Sequence, residues 1–324
     1  MREGPRWRRV ATCKCGAEPV YLARYSGHHL CPKHFLESVE KRVRKEVRKQ
    51  GPFGLDKTIA VALSGGKDSV VTLRLLHEAF RDNPRLRLVA ISVDEGIAGY
   101  RPAALEAGAA HCRELGIEHH IVSYQQTAGL TMDVVAARPD RAHLPCAYCG
   151  VLRRVNLNQA ARDVGADFVA TGHNLDDTAQ SILMNHLKGD VARLARMAPH
   201  PPDRVNEGLV PRILPLRAIP EKEVALYAIL KGWDFHDGEC PYSVEATRGR
   251  YRDMLLELEA QEPGTRHSLL AGYDRLAPLV RGLEDAKLRP CDRCGEPTSG
   301  KGECRACTLV GSVGGKLNST SRSD

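Results

Sequence analysis

Eleven cysteines in a chain of 324 residues fall into three groups and one singlet. Cys13, Cys15, Cys31 and His34 stand near the start, Cys291, Cys294, Cys304 and Cys307 near the end, and Cys146, Cys149 and Cys240 between them. Each terminal group has the make-up of a tetrahedral zinc site, in which two short segments close thiolate and imidazole ligands round one ion. In the last group C-x2-C, nine residues and C-x2-C are spaced by Gly295, Gly300 and Gly302, which let backbone wrap a metal. The first pair is C-x-C, so His28 or His29 is an alternative ligand there. A stretch as poor in apolar residues as CDRCGEPTSGKGECRAC cannot fold by burial, and the metal is expected to be its core. Three cysteines leave a tetrahedral ion one ligand short. The central set therefore suits a cubane iron–sulfur cluster with one open iron, or a redox pair with a persulfide carrier. Cys112, inside PAALEAGAAHCRELG, reads as a small buried residue of a helix.

A second chemistry lies where KTIAVAL, ending at Leu63, runs into Ser64, Gly65, Gly66, Lys67, Asp68 and Ser69 and then into an apolar helix. Glycines let backbone amides approach an anion, the helix N-terminus adds partial positive charge, and the two serines add hydroxyl donors. The spacing is too short for the G-x4-GK[ST] loop. A further glycine turn, Gly172-His173-Asn174-Leu175-Asp176-Asp177, again opens a helix. One acidic residue there is ordinary capping; two facing a phosphate site point to Mg²⁺ coordination or proton handling.

These loops need a scaffold that presents them together. KTIAVAL, LRLVAISV, EHHIVSY and ADFVATG have strand length and composition, and they alternate with the helical stretches SVVTLRLLHEAF, AALEAGAAHCREL, GVLRRVNLNQAARDV and DDTAQSILMNHL. Strict alternation implies parallel pairing through right-handed crossovers, hence a doubly wound parallel α/β sheet with its ligands beyond the carboxyl ends of the strands. Before it, FLESVEKRVRKEVRKQG repeats Phe35, Val39, Val43 and Val47 beside a Lys/Arg face, which predicts a basic amphipathic helix. Residues 1–50 hold 13 Lys/Arg against 5 Asp/Glu, while the remainder is balanced within one charge. The surplus, in Arg2, Arg6, Arg8, Arg9 and the helix with Lys41, Arg42, Lys45 and Arg48, suits the phosphates of a polyanion, the alternative being a solvated linker helix. The composition is 42% hydrophobic and 27% charged, which argues against a disordered chain and against a small disulfide scaffold. No apolar run reaches the roughly 20 residues of a membrane span, and the N-terminus lacks a signal-like apolar region; a cytoplasmic protein with no membrane contact is expected. The Gly/Ser-rich stretch after Cys307 is expected to be disordered.

SGGKDS at a strand-to-helix junction resembles the PP-loop ATP pyrophosphatases, with an adenine-nucleotide alpha-hydrolase-like fold, which activate an oxygen as its adenylate and release pyrophosphate. Together with GHNLDD, PCAYCGVLRR, Glu239-Cys240-Pro241 and the flanking cysteine modules, it is similar to the tRNA 2-thiouridine synthetases of the TtcA/TtuA family. Within that family CGVLRR, LMNHLKGD and IPEKEVALYAILKG look most like the archaeal and eukaryotic cytosolic thiouridylases, the NcsA type. The resemblance spans about residues 13–307. It implies ATP bound by Leu63, Ser64, Gly65, Gly66, Lys67, Asp68, Ser69, Val93, Arg153, Gly172 and Asp176, and catalytic roles for Lys67, Arg153, Asp177 and the three central cysteines. It also implies Mg²⁺, a [4Fe-4S] cluster on Cys146, Cys149 and Cys240, two Zn²⁺ ions and a homodimer. The target is the wobble uridine at tRNA position 34 or, as in close relatives, the T-loop uridine at position 54. Sulfur must arrive from outside as sulfide or on a ubiquitin-like thiocarboxylate carrier, since no desulfurase-like segment is present. The expected modules are a zinc finger over 1–35, a basic linker helix over 36–56, the catalytic domain over 57–245, a helical extension over 246–288, a second finger over 289–310 and a disordered tail over 311–324.

An amidotransferase using the same loop would leave the cysteine triad and both metal modules unexplained. An RNA-associated zinc protein with a non-catalytic nucleotide fold would leave the triad idle. Replacing Cys146, Cys149 or Cys240 singly with Ala is expected to abolish thiolation while both zinc ions and the circular dichroism spectrum stay unchanged; thiolation retained in any one variant refutes a three-cysteine site.

Overall fold

Every strand of the central sheet is followed by a helix that has to cross back over it, so the strands pair in parallel and the sheet needs cover on both faces. A computed structural model of the chain describes residues 12–51, 53, 56–200, 208–243, 248–283 and 288–318. Two short strands, β1 (Tyr21–Ala23) and β2 (His28–Leu30), precede α1 (Pro32–Gln50). The central domain follows as β3 (Lys57–Ala62), α2 (Lys67–Phe80), β4 (Leu86–Asp94), α3 (Arg101–Leu115), β5 (Glu118–Ser123), α4 (Tyr124–Ala128), α5 (Met132–Ala137) and α6 (Pro145–Asp163). It continues as β6 (Phe168–Ala170), α7 (Leu175–Leu187), α8 (Val191–Ala195), β7 (Arg212–Ile213) and α9 (Glu221–Lys231). After it come α10 (Arg248–Gln261), α11 (Thr265–Leu283), β8 (Arg289–Pro290), β9 (Pro297–Thr298) and α12 (Arg305–Ser312).

The sheet order is β5-β4-β3-β6-β7, all parallel. The chain moves outward in one direction through β4 and β5, then returns to the other side of β3 for β6. That reversal leaves a crevice beyond the carboxyl ends of β3 and β6. Side chains alternate along β3 as the pleat requires: Ile59 and Val61 join the layer with α1, α2 and α9, while Ala60 joins the layer with α6. Cys112 is buried in the first of these layers, as its helical setting predicts. Strand β7 goes beyond the strands expected; its two residues are too few to give a periodic signal, and its pairing to β6 is what extends the sheet.

Other corrections concern boundaries. The helix expected from Gly150 begins at Pro145, which places Cys146 in its first turn and Cys149 at the start of its second. The linker helix begins at Pro32, so His34 sits in its first turn and Cys31 is its N-cap. Against the expectation of disorder from 311, Val313 and Leu317 are buried, and Lys316 N and Asn318 N donate to Ala128 O and Thr127 O at 3.3 and 2.9 Å. Residues 319–324 and Arg2, Arg6, Arg8 and Arg9 lie outside the described residues. Nor does the metal have to be the only core of the C-terminal module. Leu309 and Val310 of α12 are buried in the same cluster as Tyr148 and Leu152 of α6, so the module docks its apolar face on the central domain. No helix among the described residues is long and apolar enough to cross a membrane.

Helix α1 buries Phe35, Val39, Val43 and Val47 and leaves Lys41, Lys45 and Arg48 facing outward. Arg42 departs from the expectation of a phosphate-facing residue. It pairs with Glu223 of α9, a wholly buried carboxylate that also accepts from Tyr25 Oη at 2.7 Å. Its removal strands a buried charge. Arg42→Ala should therefore lower stability by about 2–3 kcal/mol, whereas Lys41→Ala should stay within about 0.5 kcal/mol; urea denaturation of the two variants checks the contrast.

Candidate active site

The phosphate loop is shaped by one hydroxyl and two close approaches. Ser69 Oγ, in the first turn of α2, accepts from Ser64 N and Gly65 N, both at 3.1 Å, and donates to Gly66 O at 2.9 Å. Gly65 has φ +88°, and a Cβ there would lie 1.8 Å from Ala104 O of α3. A Cβ on Gly172 would come within 2.8 Å of the Asp68 backbone. Both glycines are thus required for the two loops to stack, and Asn174 Nδ2 ties them by donating to Asp68 Oδ1 at 3.0 Å. Leu63 and Val93 are buried at the ends of β3 and β4. Lys67 Nζ lies 3.0 Å from both Asp68 and Glu221. Burial opposes its charge, but the two carboxylates outweigh that and raise its pKa.

The adjacent acids of α7 face different ways. Asp177 closes a capping box with Asn174, lines the crevice, and lies 3.4 Å from Arg248. Burial raises its pKa, with Arg248 acting in the opposite direction. Asp176 instead pairs with Arg266 of α11 and accepts from Glu221 N at 2.8 Å. The expectation that both carboxylates face the phosphate site is corrected: the i, i+1 spacing separates them by about 100° round the helix.

The crevice is a cavity of about 630 Å³, with Ser64, Asp68 and Ser69 on one side and Gly150, Arg153 and Arg154 of α6 on another. His173, which hydrogen-bonds Thr171 Oγ1 at 2.8 Å, also lines it, and burial first and then Arg248 and Arg212 push its pKa down to about 4. The ring is neutral at pH 7.

Arg153 joins this cavity to the cysteines. Its Nη2 donates to Cys149 Sγ at 3.2 Å, and its Nη2 and Nε reach Glu95 Oε1 at 2.8 and 2.9 Å. Burial opposes the Arg153 charge, but Cys149 and Glu95 more than offset it and hold its pKa above the ordinary value. Glu95 is buried and lies 2.9 Å from Arg101 Nε, and Arg101 Nη1 donates to Ser64 O at 2.8 Å. A continuous polar chain therefore runs from Cys149 to the phosphate loop. Cys146 Sγ donates to Tyr242 O at 3.3 Å, two residues beyond Cys240. Cys149 and Cys240 pack against the same buried layer. The segment carrying Cys240 is held over the loop where His236 N donates to Gly65 O at 2.9 Å.

The three cysteine groups differ in spacing. In the terminal groups the ligand atoms all lie within 4.8 Å of one another, and the sulfurs of Cys15 and Cys31, Cys291 and Cys307, and Cys294 and Cys304 are 3.8, 3.9 and 3.6 Å apart. A tetrahedron with Zn–S bonds of about 2.3 Å has an edge of about 3.8 Å. Both groups fit one tetrahedral ion, and the C-x-C pair closes with His34 Nδ1 without His28 or His29. Among the described residues the central triad forms no such tight set. Burial pushes the Cys149 thiol up, with Arg153 acting in the opposite direction, and three thiols suit a larger cluster with a free corner.

Residues 36–259 match the PP-loop domain family, and residues 12–36 match the N-terminal LIM domain of 2-thiouridine synthetase TtuA. The chain is 44% identical over 315 residues to the tRNA 2-thiolation protein NcsA of Haloferax volcanii, covering 93% of this chain and 98% of that protein. It is 35% identical over 305 residues to the cytoplasmic tRNA 2-thiolation protein 1 of Danio rerio, covering 93% and 88% respectively. The solved U34-tRNA thiolase NcsA from Methanococcus maripaludis, with its [4Fe-4S] cluster, superposes with a TM-score of 0.81 at 34% identity, covering 97% of this chain and all of that one. This chain belongs to that PP-loop family of tRNA 2-thiolation proteins.

Glu95, Arg101, Arg212 and Arg248 carry no signal strong enough to single them out in the sequence. Glu95 follows Asp94 at a strand end, which is the one local hint among the four; Arg212 and Arg248 stand in no motif, and only the fold brings them to the cavity. The different orientations of the two acids give a direct test. Asp176→Asn should cost about 1–3 kcal/mol of stability by leaving the buried Arg266 with Glu259 as its one carboxylate partner. Asp177→Asn should leave stability nearly unchanged and lower ATP-dependent AMP release by about 100-fold; melting curves and AMP quantification on both variants check this.

Proposed function

We propose that the protein is an ATP-dependent tRNA-uridine 2-sulfurtransferase, acting at wobble position 34. The observation that carries this reading is Arg153, which touches the cysteine triad and lines the phosphate cavity at once. That contact supports a reading in which cysteines and ATP loop serve two halves of one reaction. The relatives named as tRNA 2-thiolation proteins support the tRNA substrate, and the likeness to the Methanococcus U34-tRNA thiolase supports position 34 over 54.

In the first half ATP lies along Ser64–Ser69, with Leu63 and Val93 beside the adenosine and Gly172 closing the loop. Uracil O2 attacks the α phosphorus and pyrophosphate leaves. Lys67 and Arg153 neutralise charge that develops on the phosphates. Asp177, with its raised pKa, takes the N3 proton, and with Asp68 it is placed to hold Mg²⁺. In the second half hydrosulfide adds at C2 and AMP departs with the original oxygen, while the sulfur-borne proton returns to N3. A [4Fe-4S] cluster on Cys146, Cys149 and Cys240 would supply an open iron that binds and delivers hydrosulfide.

Cys13, Cys15, Cys31 and His34, and Cys291, Cys294, Cys304 and Cys307, each hold one Zn²⁺ in this reading. The outward-facing Lys41, Lys45 and Arg48 contact tRNA phosphates. Sulfide or a thiocarboxylate carrier is the sulfur source, and the enzyme works in the cytoplasm as a homodimer. Anaerobic protein given ATP, sulfide and unmodified tRNA should release one AMP per 2-thiouridine formed, and mass spectrometry of the digested tRNA should place that base at position 34. The modified base at position 54 would move the substrate site to the T-loop, and AMP release without any 2-thiouridine would overturn the assignment.

A further inference from the structure

The cavity holds more positive charge than its own residues neutralise. Arg153 is engaged by Glu95, and Arg248 by Asp177 and Ser181. Arg154 of α6 and Arg212 of β7 also line the cavity, and neither guanidinium has an ion-pair or hydrogen-bond partner among the described residues. The remaining lining carboxylate is already in use, because Asp68 is held by Lys67 and Asn174. Arg212 is half-buried and Arg154 is exposed on the same cavity wall; a guanidinium partly withdrawn from water without a counter-ion is costly, and a second positive charge beside it adds to that cost. Burial and the neighbouring Arg154 both push the Arg212 pKa down, to about 10. Around Arg154 burial acts first, and then Arg193, Arg153 and Arg248 act in the same direction. This wall is built for an anion.

We propose that Arg154 and Arg212 form a second anion subsite, which holds a phosphodiester of the RNA strand next to the nucleotide under reaction. The proposal rests on the tRNA reading given above. Position separates the subsite from the ATP phosphates: β7 pairs with β6 and β6 with β3, so Arg212 stands two strand spacings, about 10 Å, from the strand that ends in the phosphate loop. Direction also fits. Arg212 is half-buried and Arg154 exposed, so the unpartnered positive charge runs from the cavity wall to solvent, along a path by which a polynucleotide can leave. A base brought into the cavity has its own backbone phosphates close by, and anchoring one of them holds the base out of its stack.

The test uses the full-length, cluster-loaded protein with Arg154→Gln and Arg212→Gln combined, and with both changed to Lys. Wild-type binding to unmodified tRNA is measured first; its absence would bring down the function reading and this proposal with it. The Gln pair should weaken tRNA binding about tenfold and flatten the dependence of log K on log salt by about 0.7 for each phosphate that is no longer neutralised. ATP affinity should stay within about twofold, and the Lys pair should restore most of the RNA affinity because it keeps the charge. tRNA binding and salt slope unchanged in the Gln pair overturn the proposal alone. A loss of ATP affinity with RNA binding intact assigns the two arginines to the nucleotide and overturns it too, as does a parallel loss of both that lysine does not reverse for RNA.

Discussion

Glu95 is the carboxylate on which the site is assembled. It is buried between two guanidinium groups, one from α3 and one from α6, and each of them reaches a different part of the chemistry. Arg101 holds the carbonyl of Ser64, and Arg153 reaches Cys149. A buried carboxylate with two cationic partners is stable only while both stay in place, since loss of either leaves desolvated charge behind. The phosphate loop and the cysteine-bearing helix are therefore not free to move independently. Tyr124 adds a second tie by donating from its hydroxyl to Cys149 O at 2.8 Å.

The two terminal modules solve the problem of small size in the same way and attach themselves differently. Each gathers four soft or borderline ligands at the edge length of a single tetrahedral ion, a substitute for the apolar core that so few residues cannot build. The first module is continuous with α1, because Cys31 caps the helix and His34 belongs to its first turn. The last one docks through Leu309, Val310, Val313 and Leu317 onto the layer that contains α6. It therefore braces the helix whose first two turns carry Cys146 and Cys149.

Charge is sorted by depth. On α1 the apolar residues recur every four positions, so Lys41, Lys45 and Arg48 fall on the outer face, whereas Arg42 turns inward to Glu223. In the crevice the order is reversed: arginines line an interior that carries only Asp68 and Asp177 against them among the described residues. A surface of lysines is cheap because water screens it, and a concave wall of arginines with two of them unpartnered is suited to anions.

The loops were legible because their chemistry is local. SGGKDS and GHNLDD each combine a strand end, a glycine turn and a helix start within six residues, and the doubly wound sheet follows from the alternation of short apolar runs with helical periods. The metal modules were legible for the same reason, since four ligands within about twenty residues define their own polyhedron. Other features were set by contacts between residues far apart in the chain. β7 exists because β6 has a free edge, and the stretch after 311 is ordered because the central domain offers it an apolar face and two carbonyls. Asp176 turns from the phosphates because Arg266, ninety residues on, draws it, and Arg42 leaves the surface because Glu223 is buried beneath it. No local pattern encodes such pairings; a charged residue's role depends on which opposite charge the fold places within a few ångströms, and that is decided only when the helices pack.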